Sequence, residues 1–140
     1  VFAMPGIRLG YLLTDNETYR ERISSVGQPW SVSVLAECAG VAALSEQGYV
    51  ERARRLVRDE RSYLIKQLKK FNIEPIGSHA NYLFFKLNKK IALKDLLYPK
   101  GILIRSCANY RGLDEQYYRI AVKKHHENEI LIDALKMIFD

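Results

Sequence analysis

Residues 102–122 read ILIRSCANYRGLDEQYYRIAV. Two alternating apolar runs, ILIRSC and YYRIAV, flank a loop rich in Asn, Gly and Asp, the pattern of two strands that can pair. Each run carries an arginine that packing alone does not ask for: Arg105 ends the first and Arg119 lies inside the second. A buried charge without a partner is heavily penalised. Arg119 therefore needs a counter-ion, either a nearby carboxylate such as Asp114 or Glu115 or an anionic group of a ligand. Arg105 poses the same choice. Asn109, within the loop, reads as a turn residue.

Upstream, IEPIGS (73–78) and ANYLFFKL (80–87) supply two further strand candidates, with a short helix expected around Ala92–Leu97. Asn81 places a polar side chain where a buried strand begins, most simply to satisfy backbone groups near a turn. Downstream, NEILIDALKMIF (128–139) repeats apolar residues at helical spacing. From Gly48 a long amphipathic helix carries Val57, Leu64, Leu68 and Phe71 on one face and Arg and Lys on the other, with a gap in the stripe at Glu60–Arg61. These elements predict an α/β chain whose second half is a two-layer α+β domain, a mostly antiparallel sheet of three to four strands covered by helices.

The first third reads differently. LGYLLT (9–14) suggests a short strand, and Asp15 a cap for the helix in NETYRERISSV. SVSVLAECAGVAALSE (31–46) is small or apolar nearly all round, so a helix buried on most sides is expected, with Cys38 as a small core residue. Arg8 lies between Gly6 and Gly10. Glycines allow close backbone approach, and an arginine fork between them suits phosphate oxygens. A surface arginine at a turn is the other reading of the same residues.

The chain has 140 residues, 48% of them hydrophobic, enough for a real core, and a net charge of +6. The positive balance allows anionic partners, but Glu51, Asp59 and Glu60 interleave the basic stretch, and no zinc-finger spacing or RNA-binding aromatic motif accompanies it, so nucleic acid is not expected. His79, His125 and His126 lack metal-ligand spacing, so no metal is assigned. No Ser-His-Asp set has a recognisable setting. Two cysteines far apart point to a reducing, cytoplasmic setting, and no apolar run reaches the length of a membrane span.

Taken in order, FAMPGIRLGY, QPWSVSVLAECAGVAAL, ANYLFF and GILIRSCANYRGLDEQYYRIAV resemble the C-terminal part of fold-type I, pyridoxal-phosphate-dependent enzymes of the class I/II aminotransferase type. The resemblance covers essentially the whole chain. Within the family it is most similar to the threonine-phosphate decarboxylase branch of cobalamin biosynthesis, itself similar to histidinol-phosphate aminotransferases. One departure is Ser33, where the family phrase often has Asn.

The resemblance implies roles. Arg8 would bind the phosphate of pyridoxal phosphate, Arg119 an anionic group of the substrate, typically its carboxylate, and Arg105 the substrate's anionic end, its phosphate. Asn81 would begin a strand approaching the substrate pocket. Residues 1–46 would be the tail of the large cofactor domain, and 47–140 the small domain with an interdomain helix. The Schiff-base lysine, usually eight residues before the phosphate-binding arginine, would fall immediately before Val1. This stretch alone is therefore expected to hold no catalytic residue and to be inactive. The implied parent is a homodimeric lyase that converts L-threonine O-3-phosphate to aminopropanol phosphate and carbon dioxide; an aminotransferase is the alternative. From another class, a binding module presenting the basic helix to a partner would announce itself by strongly salt-dependent binding.

Overall fold

The computed structural model describes residues 2–139. The chain divides into two compact units, Val1–Arg52 and Ala53–Asp140.

In the second unit the period-two segments pair as expected. Strands β1 (Tyr82–Lys86), β2 (Arg105–Ser106) and β3 (Tyr117–Ala121) form an antiparallel sheet in the order β1-β3-β2. Alternation sends Leu83, Phe85, Tyr118 and Ile120 to one face, where each is essentially buried. They form one cluster with Leu64 and Leu68 of α3 (Tyr49–Lys70), Leu93 and Leu97 of α4 (Leu93–Leu97), and Leu131, Ile132 and Leu135 of α5 (His125–Phe139). The result is two layers, with helices on one side of the sheet. The opposite face carries Tyr82, Phe84, Tyr117 and Arg119, all partly exposed.

IEPIGS does not become a fourth strand. It contributes one bridge, Pro75 to Phe85, and one bond from Ile76 N–H to the Phe84 carbonyl at 2.7 Å. Pro75 has no N–H to give to a ladder, and Gly77 turns the chain at φ +43°.

The gap in the α3 stripe is a polar joint. Glu60 accepts from Asn128 Nδ2 at 2.8 Å and lies 3.0 Å from His125 Nδ1, while Asn128, almost fully buried, also caps the Lys123 backbone on both its N–H and its carbonyl. The stripe is interrupted because a buried hydrogen-bond network replaces apolar packing there. Among the described residues no group of three or more His, Cys, Asp or Glu side chains is arranged to hold a metal, and no helix is long and apolar enough to cross a membrane.

In the first unit, α1 (Glu17–Val26) and α2 (Val34–Ser45) form as expected. The α1 cap is Asn16 rather than Asp15: its Oδ1 accepts from Tyr19 N–H at 3.1 Å. Ser33 caps α2 through Oγ, accepting from Ala36 N–H at 3.1 Å. Serine and asparagine are comparable N-caps, so the departure from the family phrase preserves the local function of the position. LGYLLT is not a strand, because a strand needs a ladder partner and none faces it among the described residues. Of α2 only Ala36 is buried; Val34, Leu35, Val41 and Leu44 are exposed, and Cys38 is exposed rather than a core residue.

The Tyr118 hydroxyl ties the sheet to the α4 segment, accepting from the Leu93 N–H at 3.2 Å and donating to the Ile91 carbonyl at 3.0 Å. Burial pushes the Tyr118 phenol above its usual value, and the bond from the Leu93 backbone only partly offsets this. Tyr118→Phe should cost about 0.5–1.5 kcal/mol, since the Ile91 carbonyl loses its phenolic donor while the Leu93 N–H keeps its bond to that carbonyl at 2.8 Å. A folded-state pKa raised above the unfolded one gives stability that is present below pH ~10 and lost as pH rises through the folded value. Urea midpoints across pH 7–11 should therefore fall less steeply at the alkaline end in the Phe variant.

Candidate functional site

Register decides what the open sheet face displays. Arg105 and Arg119 are direct cross-strand partners, as are Phe84 and Arg119. Residues so paired share a face, with Cβ atoms about 4.5–5.5 Å apart. Two guanidinium-bearing side chains therefore emerge side by side, an arrangement that costs stability unless an anion offsets it.

Among the described residues no carboxylate pairs with either arginine. Asp114 turns its Oδ1 to the Gln116 N–H at 2.8 Å, Glu115 is exposed, and among the described residues neither pairs with Arg119. Arg119 is held instead by neutral groups. Its guanidinium carbon sits 3.8 Å from the centre of the Tyr82 ring, and Nη1 donates to the Tyr110 hydroxyl at 3.3 Å. Its Nε is buried, with no hydrogen-bond partner among the described residues. Arg105, more exposed, reaches the Asn109 Oδ1 at 3.5 Å. Adjacent loop residues, Asn109 and Tyr110, thus each hold one arginine. Arg119, Tyr82, Phe84, Cys107 and Tyr110 border an open cavity of about 230 Å³.

Asn81 stands just before β1. Its carbonyl accepts from the Val122 N–H at 2.9 Å and extends the ladder, while its side chain is exposed. The structure thus brings Arg105 and Arg119 together and gives Asn81 a backbone task beside them. Sequence reasoning missed Tyr82 and Tyr110. Their signal was adjacency: Tyr82 follows Asn81, and Tyr110 lies in the loop joining the two arginine-bearing strands.

Arg8 belongs to the first unit. It follows a 3-10 turn over Pro5–Ile7 and adopts the left-handed conformation, φ 58° and ψ 29°, with its N–H bonded to the Pro5 carbonyl. The next residue, Leu9, reaches α2 where Gly40 leaves room: a Cβ there would lie 2.6 Å from the Leu9 side chain. At Gly6 and Gly10 nothing comes within 4 Å of an added Cβ, so the space around Arg8 is open. Its side chain is exposed and joins no ion pair among the described residues.

Residues 1–135 match the family model for aminotransferase class I and II. The chain belongs to that family. Among relatives of this aminotransferase family, the threonine-phosphate decarboxylase of Salmonella typhimurium is 37% identical over 141 residues, covering 98% of this chain and 38% of that protein. The histidinol-phosphate aminotransferase of Clostridium acetobutylicum superposes with a TM-score of 0.90 at 34% identity, over 98% of this chain and 42% of that one. The L-threonine-O-3-phosphate decarboxylase of Porphyromonas gingivalis gives 0.78 at 29%, over 96% and 42%. The chain thus spans about two-fifths of the length of these aminotransferase-family relatives.

A charge held by neutral groups is a cost to the fold. Arg119→Leu in the 140-residue chain should raise the unfolding free energy by up to about 2 kcal/mol, read as a higher urea midpoint, because a buried N–H without a partner among the described residues and a like-charge pair both disappear. A lowered midpoint would show that Arg119 is chiefly structural.

Proposed function

We propose that this chain is the C-terminal part of a pyridoxal-phosphate-dependent threonine-phosphate decarboxylase, cytoplasmic and homodimeric. In this reading residues 1–46 end the large cofactor domain and 47–140 form the small domain with its interdomain helix. The reaction belongs to the whole enzyme and not to these 140 residues. One observation carries the reading: Arg105 and Arg119 are direct partners on an open sheet face, with no carboxylate among the described residues paired to either. An amino-acid phosphate has two anionic ends to offer such a pair. Arg119, the more rigidly held, takes the carboxylate, and Arg105 the phosphate end; Asn81 sits at the edge of the same strand system. The exposed apolar residues of the first unit, among them Trp30, Leu35 and Leu44, support packing against further large-domain and second-subunit surface.

The residues around Arg8 fit the phosphate of the cofactor. An exposed guanidinium with no ion pair among the described residues, flanked by open glycines, provides a two-pronged donor for phosphate oxygens. When bound, pyridoxal phosphate supplies an electron sink for the carbanion at the substrate's alpha carbon. This chain's part is to orient. Arg119 would hold the carboxylate and so limit rotation about the bond between it and the alpha carbon. A histidinol-phosphate-type aminotransferase is the second reading, supported by the 0.90 superposition on such an enzyme. Carbon dioxide released from carboxyl-labelled L-threonine O-phosphate without a keto-acid acceptor supports the decarboxylase; turnover only with an amino acceptor overturns it.

In the complete enzyme, Arg119→Ala should weaken substrate binding by about 2–5 kcal/mol, as for one partner of a desolvated charge pair, with cofactor affinity little changed. Equal kinetics on every amino-acid phosphate tested would refute the role.

Arg8→Ala should raise the dissociation constant for pyridoxal phosphate, measured by equilibrium dialysis. Arg8→Lys should recover only part of the loss, because an ammonium lacks the planar fork. Complete recovery would mean that charge alone is used.

A further inference from the structure

We infer that Tyr82 and Tyr110 are positioning residues for Arg119, and that Tyr110 also donates its phenolic proton to the carboxylate that Arg119 binds. The inference rests on the reading of Arg119 as the substrate's carboxylate ligand, and deepens it.

Two contacts hold the guanidinium. The Tyr82 ring covers one face at 3.8 Å. The Tyr110 oxygen accepts one N–H of Nη1 at 3.3 Å. The Nε is buried and has no hydrogen-bond partner among the described residues. A long arginine side chain ordinarily loses considerable rotamer freedom when it grips a ligand. Here that freedom is already removed, and by groups that leave the positive charge unspent. A carboxylate in the place of either tyrosine would hold Arg119 equally still but would neutralise it.

Tyr110 has a second capacity. As acceptor toward Arg119 it uses a lone pair, so its own O–H remains available. Among the described residues that hydroxyl has no other hydrogen-bond partner. The ring is exposed and borders the open cavity beside Arg119. Its backbone is pinned on both sides, Tyr110 N–H to the Cys107 carbonyl at 3.0 Å and Leu113 N–H to the Tyr110 carbonyl at 3.1 Å. An anion held by Arg119 meets a second donor at a fixed place. The two donors distinguish a carboxylated ligand from the same molecule without its carboxylate.

The test uses the complete enzyme loaded with pyridoxal phosphate and two probes, L-threonine O-phosphate and 1-amino-2-propanol phosphate, which lacks the carboxylate. Tyr110→Phe should raise KM for the carboxylated probe about tenfold, the worth of one hydrogen bond to a charged group, with a much smaller change in kcat. Its affinity for the decarboxylated probe should stay within about twofold of the parent's. Tyr82→Leu should weaken the carboxylated probe about fivefold, and Tyr82→Phe should recover that loss because the ring face is retained. Arg119→Ala serves as the reference. If Arg119→Ala weakens the carboxylated probe and Tyr110→Phe does not, the inference fails while the role of Arg119 survives. Equal weakening of both probes in Tyr110→Phe also overturns it, showing a general loss of structure. If Arg119→Ala itself changes nothing, the underlying reading and the inference fall together.

Discussion

The pairing register of β3 governs everything else in the second unit. With Ile120 opposite Leu83 and Tyr118 opposite Phe85, the apolar half of each strand enters the core, and Arg119 is left on the other face beside Arg105. A slip of one residue would bury the arginine and expose the core side chains, so the apolar pattern that stabilises the sheet also fixes where the charge appears. The position of Arg119 is thus enforced by the burial of its neighbours.

Much of this was legible in the sequence, for identifiable reasons. The strands at 82–86 and 117–121 and helices α3 and α5 have one apolar and one polar side, and periodicity reports that asymmetry directly. IEPIGS had the composition of a strand, but Pro75 and Gly77 prevent a continuous ladder. The first unit misled for a different reason. LGYLLT and α2 are written for burial, and burial depends on what lies against them, which a local pattern does not contain. Composition identified α2 as a helix and could not supply its surroundings.

The candidate site divides along the same line. Arg8, Arg105 and Arg119 stood out because a charge in an apolar or glycine-lined setting is conspicuous in one dimension. Tyr82 and Tyr110 did not, since a tyrosine in a strand or turn needs no explanation. Their importance arises from proximity in space: a ring over a guanidinium, a hydroxyl at its edge. Asn109, read as a turn former, reaches Arg105 as well. Groups that hold a functional side chain in place are chemically ordinary, and only the fold distinguishes them.

The two borders of the sheet have a consequence for assembly. On the outer side of β1, Pro75 and Ile76 occupy the positions opposite Phe85 and Phe84. On the other border β2 is two residues long and begins with a charged Arg105. Short, charged or proline-blocked margins make poor templates for an incoming strand. Growth of this sheet by edge-to-edge addition of further copies is therefore disfavoured, which protects a β-rich surface bearing exposed aromatic rings from polymerising through its backbone. The face bearing Arg105 and Arg119 thus stays uncovered while the edges beside it discourage strand addition.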